Sequence, residues 1–288
     1  MNTSPRIVFF GGEPLAIPTL EALKDAEITP GLIVCNPDRP QGRKLLVTPP
    51  PTKLWAQKEN ISVLQPISYK NKDDFPILTD TVWDLFVVVA YNFILPEWIL
   101  ELPKYGVINV HPSLLPKFRG ASPIRSLILA DERTTGVTVM LMDAEMDHGP
   151  ILAQKQIEIA KENWPISGNV LDSLLAQEGG TLLADTIPKL LTNNLTPQEQ
   201  NHAEATYCKK LTKEMGELDL SGDPYQNLLK IRAFDGWPGT FFFAERNGIR
   251  TRIKIVDTEL SKDGSLNITR IIPEGKNEMS YHDFLKWT

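Results

Sequence analysis

Apolar residues run unbroken through Ile7-Val8-Phe9-Phe10, Leu32-Ile33-Val34-Cys35 and Leu85 to Ala90. Short continuous runs of this kind, bounded by glycine or polar loops, predict strands buried on both faces, as in parallel sheets. Arg6 to Phe10 followed by Gly11-Gly12 predicts a first strand and a turn, and Ile17, Leu20 and Leu23 mark one face of the helix after it. Gly31 to Cys35, Leu85 to Ala90, Val107 to His111 and Thr138 to Met142 predict further strands. Ser122 and Pro123 sit where a helix N-cap and first residue belong, ahead of Ile124, Leu127 and Ile128. The alternation predicts an α/β, doubly wound domain over residues 1–190.

From Thr192 to Asn201 no periodicity survives, which predicts a linker over 191–205. Beyond it the pattern changes. Thr240 to Ala244 and Thr251 to Val256 predict short strands, Ser261-Lys262-Asp263-Gly264 a turn, and Ser280 to Trp287 a terminal helix or loop. A small β-barrel over 206–288 is the expectation.

The length of 288 residues fits two compact units, and 42% hydrophobic with 23% charged residues is ordinary for a globular protein. No stretch approaches the roughly twenty apolar residues of a membrane span, and Met1 to Pro5 leads into a strand without a signal-peptide core, so a cytoplasmic protein is expected. Cys35 and Cys208 fall in different predicted domains without metal-ligand spacing, which argues against a zinc site or a disulfide framework. A net charge of −6 argues against a generic nucleic-acid coat. An RNA reader would need local basic patches, for which Arg39, Arg43 and Lys44 in one loop and Lys209, Lys210 and Lys213 near the second domain are candidates.

Asn109 and His111 close a predicted strand two residues apart, so both point the same way. An amide donor and an imidazole in one small volume suit acyl transfer, in which donors stabilise a tetrahedral oxyanion and a nearby base takes a proton. Alone, the pair fits structural hydrogen bonding as well. Tyr91 and the Asp143–Asp147 loop are expected beside them, since ligands of doubly wound sheets bind beyond the carboxyl ends of strands. Gly11-Gly12 lacks the Gly-x-Gly-x-x-Gly spacing, and the second strand ends at Cys35-Asn36-Pro37 without a ribose-binding acid, which disfavours a nicotinamide dehydrogenase.

The longer run Asn109-x-His111-x-Ser113-Leu114-Leu115-Pro116-x-x-Arg119-Gly120-x-x-Pro123-Ile124, with Asp147-His148-Gly149-Pro150 after it, resembles the signature of the 10-formyltetrahydrofolate-dependent formyltransferases. Further matching segments are Pro37 to Arg43, Val88 to Tyr91, Tyr207 to Thr212 and Ile231 to Gly239. The resemblance implies a Rossmann-like formyltransferase domain followed by an OB-like barrel, with 10-formyltetrahydrofolate as donor and no metal. It implies that Asn109, His111 in its protonated form and Asp147 are catalytic. Folate contacts are implied at Val88, Val89, Ala90, Tyr91, Ser113, Leu114, Leu115, Pro116, Met142 and Asp143. The acceptor it favours is the α-amine of initiator methionyl-tRNA, bound by a monomer, with Arg43 at the tip of a loop that enters the acceptor end. A nucleotide-sugar amine is the alternative acceptor, and a folate- or RNA-binding protein without catalysis the alternative class.

The chain departs from that pattern in places. His148 replaces a small hydroxyl residue, Leu45-Leu46-Val47 follows Arg43-Lys44 where relatives carry lysine and glycine, and the barrel is shortened between Val256 and Ile271. His148, His202 and His282 are expected at the surface without a role.

Overall fold

A computed structural model describes residues 4–41, 45–246, 248–261 and 263–286. The chain forms two compact units, the first made of residues 1–119, 136–157 and 172–207 and the second of 120–135, 158–171 and 208–288. The aperiodic stretch 191–205, expected as a linker, thus belongs to the first unit.

The first unit is built on a seven-stranded sheet in the order Ile151–Glu158, Thr134–Leu141, Val107–His111, Leu85–Val88, Ile7–Phe10, Leu32–Val34, Ser62–Leu64. The five strands from Val107–His111 to Ser62–Leu64 are parallel. The expected doubly wound α/β architecture is present, with one difference next to its edge strand: Thr134–Leu141 runs antiparallel to Val107–His111, pairing His111 with Thr138 and Ile108 with Leu141.

The unbroken apolar runs have the physical basis read from them. Ile7, Phe9, Ile33, Leu85, Val87, Ile108 and Val110 enter one core with Leu20, Leu23, Leu183 and Ile187, while Val8, Phe10, Leu32, Val34, Phe86, Val88 and Val107 enter the opposite core with Leu78, Trp83 and Ile99. Alternate residues supply alternate faces, so strands covered on both sides carry no polar positions. The helix Ala16–Asp25 buries Leu20 and Leu23 as expected. Ser122 stands at the N-cap of Pro123–Leu129 but makes no side-chain cap hydrogen bond.

The second unit carries a four-stranded antiparallel sheet in the order Phe241–Arg246, Ile249–Leu260, Leu266–Pro273, Met279–Ser280. Its core holds Leu218, Phe242, Ile253, Ile255, Ile268 and Ile271. The second strand is longer than Thr251 to Val256 suggested, and beyond it the Gly264 amide donates to the Ser261 carbonyl, with Gly264 at φ 84°. The four named strands form a meander, and Glu217 adds a parallel bridge at Phe241 on its first strand.

Candidate active site

Phe10 is in register with Val88, and Val88 with Asn109, so the carboxyl ends of three parallel strands share one rim. Asn109 and His111 follow Val107 at two-residue steps, which turns both toward the face holding Val107, Val88 and Phe10. His111 is buried and Asn109 half-buried. The ring of His111 has a fixed sense: Nε2 lies 2.9 Å from the Phe118 carbonyl, which only accepts, so Nε2 carries the hydrogen. Nδ1 faces Oδ2 of Asp147 at 3.7 Å, close enough for charge attraction and too long for a hydrogen bond.

Asp147 reaches His111 by a route the sequence does not suggest. The Met142 amide donates to the carbonyl of Val107, at the start of the His111 strand, and the loop after it returns to bring Asp147 to the histidine. Asp147 sits at φ 51°, in the left-handed region that non-glycine residues adopt when their surroundings impose it. Asp143 is not drawn to His111. It accepts from His148 Nδ1 at 2.7 Å and from the Glu145 amide at 2.9 Å.

Around this centre the rim is aromatic. Tyr91 packs against Phe10 and Phe93, each at a ring separation of 5.7 Å, and its hydroxyl bonds that of the buried Tyr69. Burial raises the Tyr91 phenol to about 12 and pushes Tyr69 up as well, so both are neutral hydroxyls at ordinary pH. Val88 and Met142 belong to the same face as Tyr91, whereas Val89 and Ala90 pack with the opposite core. Ala90, at φ 48°, accepts the amides of Gly12 and Glu13.

Ser113 is fully buried and donates to the Lys117 carbonyl at 2.7 Å, closing the loop on itself. Thr138 and Gln154 anchor that loop: Thr138 Oγ1 donates to the Ser113 carbonyl at 2.6 Å and accepts from the Leu115 amide, and Gln154 Nε2 donates to the Leu115 carbonyl at 2.8 Å. Leu115 is buried while Leu114 and Pro116 are half-buried. Sequence reading missed Thr138. The available signal was a threonine in an apolar run, which the strand pairing places opposite His111.

Of the basic candidates, Arg39 is exposed on the hairpin Arg39–Gln41/Leu46–Thr48, and Lys209, Lys210 and Lys213 are exposed. Arg43 and Lys44 lie outside the described residues. Lys53 at 2.8 Å and then Gln65 hold the Asp38 carboxyl below the usual range beside that hairpin. His148 and His202, both expected at the surface without a role, have partners: they stack with ring centroids 4.0 Å apart, and His202 Nδ1 accepts from Arg119 at 2.9 Å. Among the described residues no group of three or more His, Cys, Asp or Glu side chains could hold a metal.

The formyl transferase family model matches residues 5–184. A methionyl-tRNA formyltransferase of Acidobacterium capsulatum is 35% identical, covering 98% of this chain and 96% of that protein. Among solved structures, methionyl-tRNA formyltransferase from Clostridium thermocellum superposes with a TM-score of 0.60 at 17% identity, covering 93% of this chain and 98% of that one. An N-formyltransferase from Helicobacter canadensis, in complex with folinic acid and dTDP-3-aminofucose, superposes with a TM-score of 0.63 at 16% identity, covering 96% and 98%. At these identities the structures speak for the fold.

Proposed function

This chain belongs to the formyl transferase family, and on that premise we propose that it is a methionyl-tRNA formyltransferase, moving the formyl group of 10-formyltetrahydrofolate to the α-amine of methionine on initiator tRNA. The observation that carries the chemistry is His111 set between a backbone carbonyl and the Asp147 carboxylate, with Asn109 beside it on the same strand face. Full-length likeness to a methionyl-tRNA formyltransferase supports the choice of acceptor.

In this reading the unprotonated amine attacks the formyl carbon, and the formyl oxygen takes the electron pair. Asn109, whose side chain has no hydrogen-bond partner among the described residues, donates to that oxyanion. His111 offers a second donor at Nδ1, which makes no hydrogen bond within the described chain, and Asp147 steadies a proton there. The amine proton leaves through water to Asp147. Collapse of the tetrahedral species breaks the bond to the folate nitrogen, which takes a proton as tetrahydrofolate departs. Such preorganised donors are worth roughly 3 to 4 kcal/mol each.

The aromatic rim at Tyr91, with Val88, Met142, Leu114 and Pro116, is the proposed folate contact surface; Ser113 and Leu115, being buried, shape the loop without touching the folate, and Val89 offers only backbone there. The meander of the second unit is read as a shortened OB-like barrel, contributing Lys209, Lys210 and Lys213 to tRNA binding by a cytoplasmic monomer, while Arg39 serves from the hairpin and Arg43 and Lys44 are read as tRNA contacts from the sequence alone. The test is transfer of labelled formyl from 10-formyltetrahydrofolate to charged initiator tRNA and, in parallel, to a dTDP-amino sugar. Formylation of the tRNA is expected. Formylation of the sugar alone would overturn the acceptor.

A further inference from the structure

Gln200 is 5% exposed, and every hydrogen-bonding atom of its amide is committed. Nε2 donates to the carbonyls of Asp147 at 3.0 Å and Gly149 at 2.8 Å, while Oε1 accepts from Nε of Arg119 at 3.2 Å and from Nη2 at 2.7 Å. Arg119 itself is 1% exposed. Its other partners are neutral, His202 Nδ1 and the Tyr207 hydroxyl, and among the described residues no carboxylate lies within ion-pair distance of it.

A buried guanidinium is best matched by a carboxylate, because a charge removed from water needs a counter-charge as well as hydrogen bonds. Glutamate has the size of glutamine and would accept the same two bonds from Arg119. It has no hydrogen to give, however, and would set an oxygen against two carbonyls. The amide at this position is therefore accounted for by its other end, where the carbonyls it binds bracket His148 and hold the turn that keeps Asp147 at φ 51° beside His111.

We propose that Gln200, itself fixed by Arg119, is a positioning residue that holds the Asp147 carboxylate against His111. The inference rests on the reading of Asp147 as part of the formyl-transfer site. Neither Gln200 nor Arg119 touches the reacting atoms in this scheme. Both act through the backbone of the 147–149 turn.

Gln200→Glu in the full chain separates the two ends of the amide. The melting temperature is expected to hold or rise, since the new carboxylate pairs with Arg119, while kcat falls about 100-fold, the scale set by a misplacement near 1 Å, with little change in KM for the donor. The imidazole 15N resonances of His111, recorded without substrate, should move in the direction they take in Asp147→Asn. A folded Gln200→Glu protein with wild-type kcat and unmoved His111 resonances would overturn the proposal and leave Gln200 as a partner of Arg119 only. If that variant does not fold, Gln200→Met, which lacks both donors and charge, is read by the same resonances with the same two outcomes. Should the wild type formylate neither acceptor, the functional reading fails, while the His111 spectra still decide whether Gln200 places Asp147.

Discussion

Every residue of Ile7–Phe10 and Leu85–Val88 is buried, whereas Ile249–Leu260 alternates, with Ile253 and Ile255 inside and Lys254 and Val256 outside. The sheet of the first unit has a core on each face, whereas the sheet of the second has one core and an opposite face on which Arg252 and Arg250 cover the rings of Phe241 and Phe243 at 3.7 and 3.8 Å. This difference bears on where chemistry sits. Strands clamped from both sides end in a rim whose side chains are held in place and shielded from water, and there a fixed donor acts on developing charge at full strength. A one-sided sheet presents instead a broad polar surface, suited to contact with a charged partner.

The two sheets should differ most in what a lost aromatic ring costs in stability. Phe9→Ala should cost about 3 to 5 kcal/mol by chemical denaturation, since it opens a cavity between packed layers. Phe243→Ala should cost about 1 to 2 kcal/mol, because the ring is 37% exposed and loses its contacts with Arg250 and with the edge of Phe241. Equal losses would deny the contrast between the sheets. Asn109→Ala comes next. It should slow formyl transfer about 100- to 1,000-fold, roughly 3 to 4 kcal/mol, with melting temperature unchanged, as expected for a donor at the rim with no role in packing.

Alkaline titration probes the buried side of the rim. Burial pushes the Cys35 thiol from 9.0 to about 11, outweighing a hydrogen bond with Thr52. A folded-state value raised in this way contributes stability that is complete below pH 9 and lost as pH rises toward 11. The denaturation midpoint should therefore fall over that window, and Cys35→Ala should flatten the fall. Parallel curves for the two proteins would show that burial does not penalise the thiolate. The smallest effect is expected on the second unit: neutralising Lys209, Lys210 and Lys213 together should lower the salt slope of initiator-tRNA binding by no more than about 2 to 3, without changing which tRNA is preferred.

The contrast also decides what was legible in the sequence. Strands covered on both faces appear as unbroken apolar runs, so those at Ile7, Leu32, Leu85 and Val107 could be placed within about two residues. Strand direction leaves no such trace. Thr134–Leu141 is as apolar as its neighbours, and its reversal follows from the pairing of Ile108 with Leu141. The pairing of Asn109 with His111 on one face follows from strand geometry, but the return of the 143–149 loop does not, because it depends on tertiary contacts such as those of Gln200. That residue lies in an aperiodic polar stretch, where burial produces no pattern. The neighbouring His202 looked solitary for the same reason, since its partners, His148 and Arg119, are far away in sequence.

The most direct test is the single-turnover rate of formyl transfer to charged initiator tRNA by Asp147→Asn, measured beside the affinity of the same protein for the folate donor. If the carboxylate acts on the transition state at the rim, the rate should fall by about 100-fold or more while donor affinity stays at the wild-type value. A wild-type rate, or a loss confined to donor binding, would contradict the assignment of the His111–Asp147 pair as the catalytic centre.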